Sequence, residues 1–300
     1  MENAIVVNNL TKKYDGFVLN NISFQVPTGS VVGFIGENGA GKSTTIRAML
    51  GIVIADTGEA WLLGHKVGRK TGDEAWREQI GVVFDECNFH WELRVKQVQN
   101  IMRDIYKTWN DEKFLGYMKR FEIPLDKKVK ELSRGMKMKL SIAVALSHDS
   151  RVLILDEATS GLDPVVRNEI LDIFRELIED GQHTIFISSH ITSDIEKISD
   201  YIMLIHKGKL LLSESKDEIL YNYAIVRCTR EQADLIPKDI VVGKEVWQYE
   251  VSVLVRDKGR LRESGFEEKA ELTGNGSFAI DRATVEDVLL YTVRTKEEKI

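Results

Sequence analysis

Cysteine is nearly absent: Cys87 and Cys228 are the only two in 300 residues. Two isolated thiols make no disulfide framework and no metal-type spacing. Long apolar runs are missing too, and no window approaches the roughly 20 apolar residues needed to cross a bilayer. The start of the chain, MENAIVVNNL, has no basic region followed by an apolar stretch, so it does not read as a secretory signal. These absences predict a soluble chain in a reducing cytoplasm, still free to sit on a membrane protein. There is no excess of positive charge. Lys and Arg number 41 against 47 Asp and Glu, a net charge of -6, which argues against a dedicated nucleic-acid binder. No internal repeat and no low-complexity tract occurs. Hydrophobic residues make up 43%, enough for a core. The length suits one large domain, or a main domain with a smaller one.

Three early runs, AIVV, FVLNNISFQV and VVGFI, read as strands, with Pro27 and Gly29 separating the second from the third. After Lys42 the pattern turns helical, with Ile46, Met49, Leu50 and Val53 on one face. Residues from about 90 to 150 look mostly helical, broken near Pro124. VLIL and TIFISS return as buried strands on either side of the amphipathic VVRNEILDIFRELIED. Strand, helix, strand at this spacing implies a parallel α/β sheet. From Leu211 the character changes. Alternation appears in IVRCT, YEVSVLV and SFAI, separated by Gly243, Gly259 and Gly274–Asn275–Gly276, and ATVEDVLLYTVR closes the chain as a helix. Residues 1–215 are expected to form the main domain and 216–300 a small α+β domain.

GENGAGKST, from Gly36 to Thr44, fits G-x-x-x-x-G-K-[ST]. It follows a strand and opens a helix, the context that pattern requires. The glycines let backbone N–H groups of Asn38, Gly39, Ala40 and Gly41 wrap a β-phosphate, and the helix N-terminus favours the negative charge. Lys42 bridges the β- and γ-phosphates. Ser43 offers a hydroxyl to Mg²⁺, and Thr44 completes the motif. Downstream, VLILDEATSGLDP ends four apolar residues with two carboxylates, Asp156 and Glu157. A buried strand does not end so without something to neutralise the acids. A phosphate loop supplies it. Asp156 would hold Mg²⁺, and Glu157, one residue further, would polarise the attacking water as general base. The ordinary alternatives are a helix cap for Asp156 and a solvated acid for Glu157.

ELSRGMKMKLSIAVAL lies just upstream of this acid strand. Its Leu132 to Met136 resemble the LSGGQ signature of ATP-binding-cassette (ABC) proteins. Further motifs of that family follow in order: SGLDP resembles the D-loop, and FISSH ends in His190, which resembles the switch histidine. Tyr14 lies where the family stacks an aromatic ring on adenine. The resemblance covers residues 4 to about 215. It implies an α/β P-loop NTPase of ABC type, with a β-rich N-terminal subdomain, a parallel core sheet and a helical subdomain at about 87–150. It also implies an ATPase using ATP and Mg²⁺. Two cassettes would pack head to tail, Ser133 and the N–H of Gly135 covering the partner's ATP, Asp163 linking the sites and His190 contacting the γ-phosphate.

Two departures stand out. Where the family places a glutamine after a core strand, IGVVFDECNFHW has none; Asp85 holds the comparable place, and an aspartate still offers Mg²⁺ an oxygen. In the signature, Arg134 and Met136 replace Gly and Gln, and Arg134 is expected to be solvated. Phe89, His90 and Trp91 fall where family members receive a permease, although burial in the helical subdomain's own core explains them as well. The single cassette with a β-rich tail is similar to prokaryotic exporters of the bacitracin-resistance type. That implies a separate membrane permease, a second cassette, export, and a place on the cytoplasmic face of the membrane. Ribosome-acting relatives usually carry two cassettes, and chromosome-binding ones insert a long coiled coil before the signature; neither pattern is present. Intact Glu157 and His190 argue against a dimeriser that does not hydrolyse ATP.

Overall fold

The computed structural model describes residues 2–68, 74–248, 250–273 and 277–297. The chain divides into two compact units, Met1–Leu210 and Leu211–Ile300.

The first unit opens with a long antiparallel pair, β1 (Asn3–Tyr14) and β2 (Phe17–Pro27). In β2 the buried positions are Leu19, Ile22, Phe24 and Val26. The period of two slips once, at Asn21, which has φ +53° and bulges opposite Thr11, while β1 has its own bulge at Asn9, φ +51°, opposite Ser23. Asparagine tolerates this backbone, and the bulge keeps both halves of the strand facing the core.

β3 (Val31–Ile35) is wholly buried and leads into α1 (Lys42–Met49). The helix is shorter than its apolar pattern suggests. Leu50 caps it and Gly51, at φ +73°, turns the chain, so Val53 lies beyond its end. β4 (Thr57–Leu62) and β5 (His65–Lys66) then complete a sheet ordered β2-β1-β4-β5.

β6 (Ile80–Val83) precedes the helical segment: α2 (Val95–Ile105), α3 (Asp111–Arg120), a 3₁₀ turn at Val129–Glu131 and α4 (Arg134–Leu146). Asn110 caps α3 by accepting from the Lys113 N–H at 2.9 Å. Asp111 and Glu112 then fill its first turn and Lys119 and Arg120 its last, each sign matching the helix dipole. Pro124 falls in the turn after α3. The chain continues through β7 (Val152–Asp156), α5 (Pro164–Ile178), β8 (Thr184–Ser189), α6 (Thr192–Ile198) and β9 (Tyr201–His206).

β9, β3, β8, β7 and β6 lie side by side in that order as parallel strands. Elements cover both faces, which is why these strands read as continuous apolar runs. Gly33 shows how close the covering is: a Cβ there would lie 2.0 Å from Ile195 Cγ2 of α6. Phe24 and Phe34 each approach Phe186, at ring distances of 5.5 and 5.3 Å, and join the two sheets in one core. β10 (Lys209–Ser215), at the edge of the parallel sheet, carries the chain into the second unit.

That unit runs α7 (Lys216–Asn222), β11 (Ala224–Cys228), α8 (Arg230–Ala233), β12 (Val241–Val246), β13 (Val251–Val255), α9 (Lys258–Glu263), α10 (Phe266–Leu272), β14 (Ala279–Arg282) and α11 (Val285–Glu297). Its antiparallel sheet is ordered β12-β13-β11-β14. Ala224, Val226, Cys228, Val251, Val253 and Val255 turn one face onto Ile236, Leu261 and Phe266. Burial pushes the Cys228 thiol up to about 11, so it is an inert core group. Two expected separators prove to be interior. Gly243 sits within β12, because α11 crosses so closely that a Cβ would lie 2.8 Å from the Tyr291 carbonyl oxygen. Gly259 lies in α9. Gly274, Asn275 and Gly276 fall outside the described residues. Thr284 and Asp287 start α11 as a reciprocal cap, with bonds of 2.9 and 3.1 Å to each other's backbone N–H.

Candidate functional site

Gly36 to Thr44 turns from the end of β3 into α1. A Cβ at Gly36 would lie 2.4 Å from the Ile205 carbonyl oxygen, while Gly39 and Gly41 hold φ +80° and +113°. Space forbids a side chain at the first, and conformation disfavours one at the other two. The loop closes around Lys42, whose Nζ donates to the carbonyl oxygens of Gly36 at 2.6 Å and Glu37 at 3.1 Å. Lys42 is only 5% exposed. An ammonium this deep requires a counter-charge, and Glu157 Oε1 provides it as an ion pair at 3.0 Å. The other carboxylate oxygen, Oε2, lies 2.8 Å from His190 Nδ1. Lys42, Glu157 and His190 thus form one connected cluster at the C-terminal ends of β3, β7 and β8. Asn38 and Gly39 are exposed at the rim of the loop, Ala40 and Gly41 are buried, and Ser43 and Thr44 are half-buried.

Asp156 ends β7 and is 1% exposed. Its Oδ1 accepts from Ser188 Oγ at 2.7 Å, while Oδ2 is buried without a hydrogen-bond partner. Burial pushes its carboxyl up. The hydrogen bond from Ser188 and the nearby Ser43 hydroxyl pull it down, and the negative charges of Asp85 and Glu157 push it up again. A buried, unpartnered carboxylate oxygen beside a serine hydroxyl is the hard-oxygen donor set that suits Mg²⁺, so the residues fit that ion. Asp85, just beyond β6, is exposed and close enough for its charge to act on Asp156.

Glu157 has φ +54°, a left-handed backbone unusual outside glycine. Its N–H donates to Ser188 at both the carbonyl oxygen, 3.2 Å, and Oγ, 3.1 Å. Ser188 therefore secures both acids, a role the sequence reading misses. The available signal is its place in FISSH, on the strand that pairs Ser188 with Asp156. Phe17 is a second omission: its ring packs against the loop, 3.0 Å from where a Gly41 Cβ would stand. Tyr14 is Phe17's cross-strand partner and is 44% exposed, with Lys12 Nζ 5.7 Å from its ring centre.

Other expected residues lie apart from this cluster. Ser133 caps α4, its Oγ accepting from the Met136 N–H at 3.2 Å; that bond does not use the hydroxyl proton. Gly135 is half-buried, facing Val166. Asp163 caps α5, its Oδ1 accepting from the N–H groups of Val165 and Val166 at 3.1 Å each. Among the described residues no hydrogen bond or ion pair joins Ser133, Gly135 or Asp163 to the phosphate loop. Phe89 is half-buried, His90 exposed and Trp91 65% exposed, which excludes burial in the helical segment's core for the last two. Arg134 is exposed, yet it lies against Gly161 rather than standing free in water. No helix among the described residues is long and apolar enough to cross a membrane.

Residues 19–160 match the family model described as "ABC transporter". The chain is 32% identical to a lantibiotic transport ATP-binding protein of Streptococcus pyogenes, over 73% of this chain and 96% of that protein. It is 34% identical to the bacitracin transport ATP-binding protein of Bacillus licheniformis, over 70% of this chain and 69% of that one. Among solved structures, cbiO1 of Clostridium perfringens, part of the ABC transporter complex cbiONQ, superposes with a TM-score of 0.61. It is 28% identical, over 73% of this chain and 91% of that one.

Proposed function

This chain belongs to the ATP-binding proteins of ABC transporters, and we propose that it hydrolyses ATP as the motor subunit of an exporter. The observation that carries this reading is the Lys42–Glu157–His190 cluster beside the buried, unpartnered oxygen of Asp156. Lys42 takes the β- and γ-phosphates of ATP, and the N–H groups of Asn38 to Ser43 hold the rest of the loop against them. Asp156 and Ser43, joined by Asp85, would hold Mg²⁺, which offsets phosphate charge when bound. Glu157, released from Lys42 by the arriving phosphates, accepts the proton of the attacking water. His190 already meets Glu157 at 2.8 Å and is placed to orient it and to contact the γ-phosphate. Tyr14 lies flat against adenine.

Ser133, Gly135 and Asp163 act across a dimer of cassettes. Their separation from the chain's own phosphate loop supports this, since they have no task there. Exposed Trp91 and His90 meet a separate permease that spans the membrane and keeps the cassette at its cytoplasmic face. Resemblance to proteins named for lantibiotic and bacitracin transport supports export. Residues 216–300 form a separate accessory domain, and no nucleic acid is required.

An affinity pull-down of the tagged chain from detergent-solubilised native membranes tests the reading. A stoichiometric polytopic membrane protein that raises ATP turnover is expected. Ribosomal or chromosomal proteins in its place would overturn the transport role.

A further inference from the structure

The start of α4 and the loop after Glu157 meet within one chain. A Cβ built on Gly161 would lie 2.7 Å from Arg134 Nη1, 2.8 Å from Cζ and 3.1 Å from Nη2. Three such similar distances mean that the guanidinium lies flat over the glycine Cα. Gly161 has φ +65°, so conformation and space both favour glycine there. A second contact lies beside the first: a Cβ on Gly135 would stand 3.2 Å from Val166 Cγ1, in the first turn of α5. The two contacts tie the head of α4 to the loop and helix start whose N–H groups Asp163 caps. Among the described residues Arg134 makes no ion pair, so attraction to an acid does not explain its seat. Planarity does, and lysine lacks it. The clamped loop is short. The Ser160 N–H donates to the Glu157 carbonyl oxygen at 3.0 Å, so whatever holds Gly161 also steadies the backbone of Glu157.

We propose that Arg134 is a positioning residue for ATP hydrolysis, its guanidinium clamping Gly161 so that the SGLDP loop, the head of α4 and the backbone of Glu157 stay in one arrangement. The proposal rests on the hydrolytic reading above. Arg134 need not touch a phosphate; it acts through the loop. Loss of the clamp therefore lowers the rate of the chemical step and leaves ATP affinity in place.

The test compares steady-state ATPase kinetics and Tm of the full chain as wild type, Arg134→Gly, Arg134→Lys, Gly161→Ala, the Arg134→Gly/Gly161→Ala double variant and Glu157→Gln. For Arg134→Gly, kcat is expected to fall about tenfold with KM within about twofold, since small displacements of a reacting group carry costs of this order. Its Tm should stay at the wild-type value. Lysine should not restore kcat. Gly161→Ala should also slow turnover, and the double variant should be no slower than Gly161→Ala alone, because both changes remove one contact. Wild-type kcat in Arg134→Gly overturns the proposal. So does a raised KM at unchanged kcat, or rescue by lysine, either of which assigns the effect to charge. Fully additive losses overturn it as well. Wild-type turnover no faster than Glu157→Gln overturns the hydrolytic reading, and the clamp with it.

Discussion

Lys42, Glu157 and His190 come from three distant stretches and close on one another within 3.0 Å, whereas Ser133 and Asp163 spend their oxygens capping their own helices. The first group is internally complete: Glu157 meets Lys42 with one carboxylate oxygen and His190 with the other. The second is well ordered but, among the described residues, not joined to the phosphate loop by any hydrogen bond or ion pair. A site finished within one chain and a surface apart from it are what the proposed dimer of cassettes requires of each half.

Removing the centre of the complete group should cost most. Lys42→Ala is expected to weaken ATP binding at least ~100-fold, since it removes the buried cation that meets the phosphates; calorimetric titration checks it, and retained tight binding would refute the phosphate role. Glu157→Gln should keep ATP binding and lower kcat ~100- to 1,000-fold, the usual scale of a lost general base. The ATP-bound variant should accumulate as a dimer on size-exclusion chromatography, and equal turnover in variant and wild type would sink the assignment. Ser133→Ala sharpens the contrast. Nucleotide should still bind the single chain, while the ATP-dependent dimer weakens and turnover falls about tenfold; a loss of binding by the monomer would dissolve the distinction. Asp85→Gln should be milder, within about threefold in kcat, because Asp85 is exposed and glutamine keeps a side-chain oxygen for Mg²⁺ while removing the charge that acts on Asp156. Abolished hydrolysis would move Asp85 into the complete group.

The smallest effect should come from the opposite end of the sheet. His148 is buried, its Nδ1 lies 2.7 Å from the Glu78 carbonyl oxygen, and its ring stacks on Tyr106 at 4.0 Å. Burial holds its pKa below the usual histidine value. The unfolded chain therefore takes up a proton first as pH falls, so stability is full above about pH 6.5 and declines below it. Thermal melts of wild type and His148→Gln between pH 8 and 5.5 should show the steeper loss in wild type, with kcat at pH 8 unaltered. Parallel melting curves would remove His148 from the account.

The phosphate loop and the acid pair were legible because their chemistry is written in adjacent residues. What escaped depends on neighbours far apart in sequence. Ser188 gains its role only when β8 lies beside β7, and Phe17 reaches Gly41 only when the hairpin folds over the loop. Arg134 looked solvated because nothing near it in sequence offers a seat. The α1 boundary was overrun because apolar spacing continues past the point where Gly51 turns the chain. In the second unit, Gly243 read as a turn because an isolated glycine usually marks one, while here it is the tightness of a crossing helix that demands it. These are all tertiary reasons, and only Ser188 has a local hint, its place in FISSH.

The ion pair between Lys42 and Glu157 bears on which anions the loop admits. A cell holds many small anions, and a bare buried ammonium would be open to all of them. Here an intramolecular carboxylate stands permanently at hand, at an effective concentration no dissolved phosphate or sulfate approaches. A lone anion that displaces it gains one contact and loses one. A nucleoside triphosphate brings a row of loop N–H contacts and its base as well, and so can part the pair. The pair is in this sense a stopper, one that yields to a ligand that grips the whole neck.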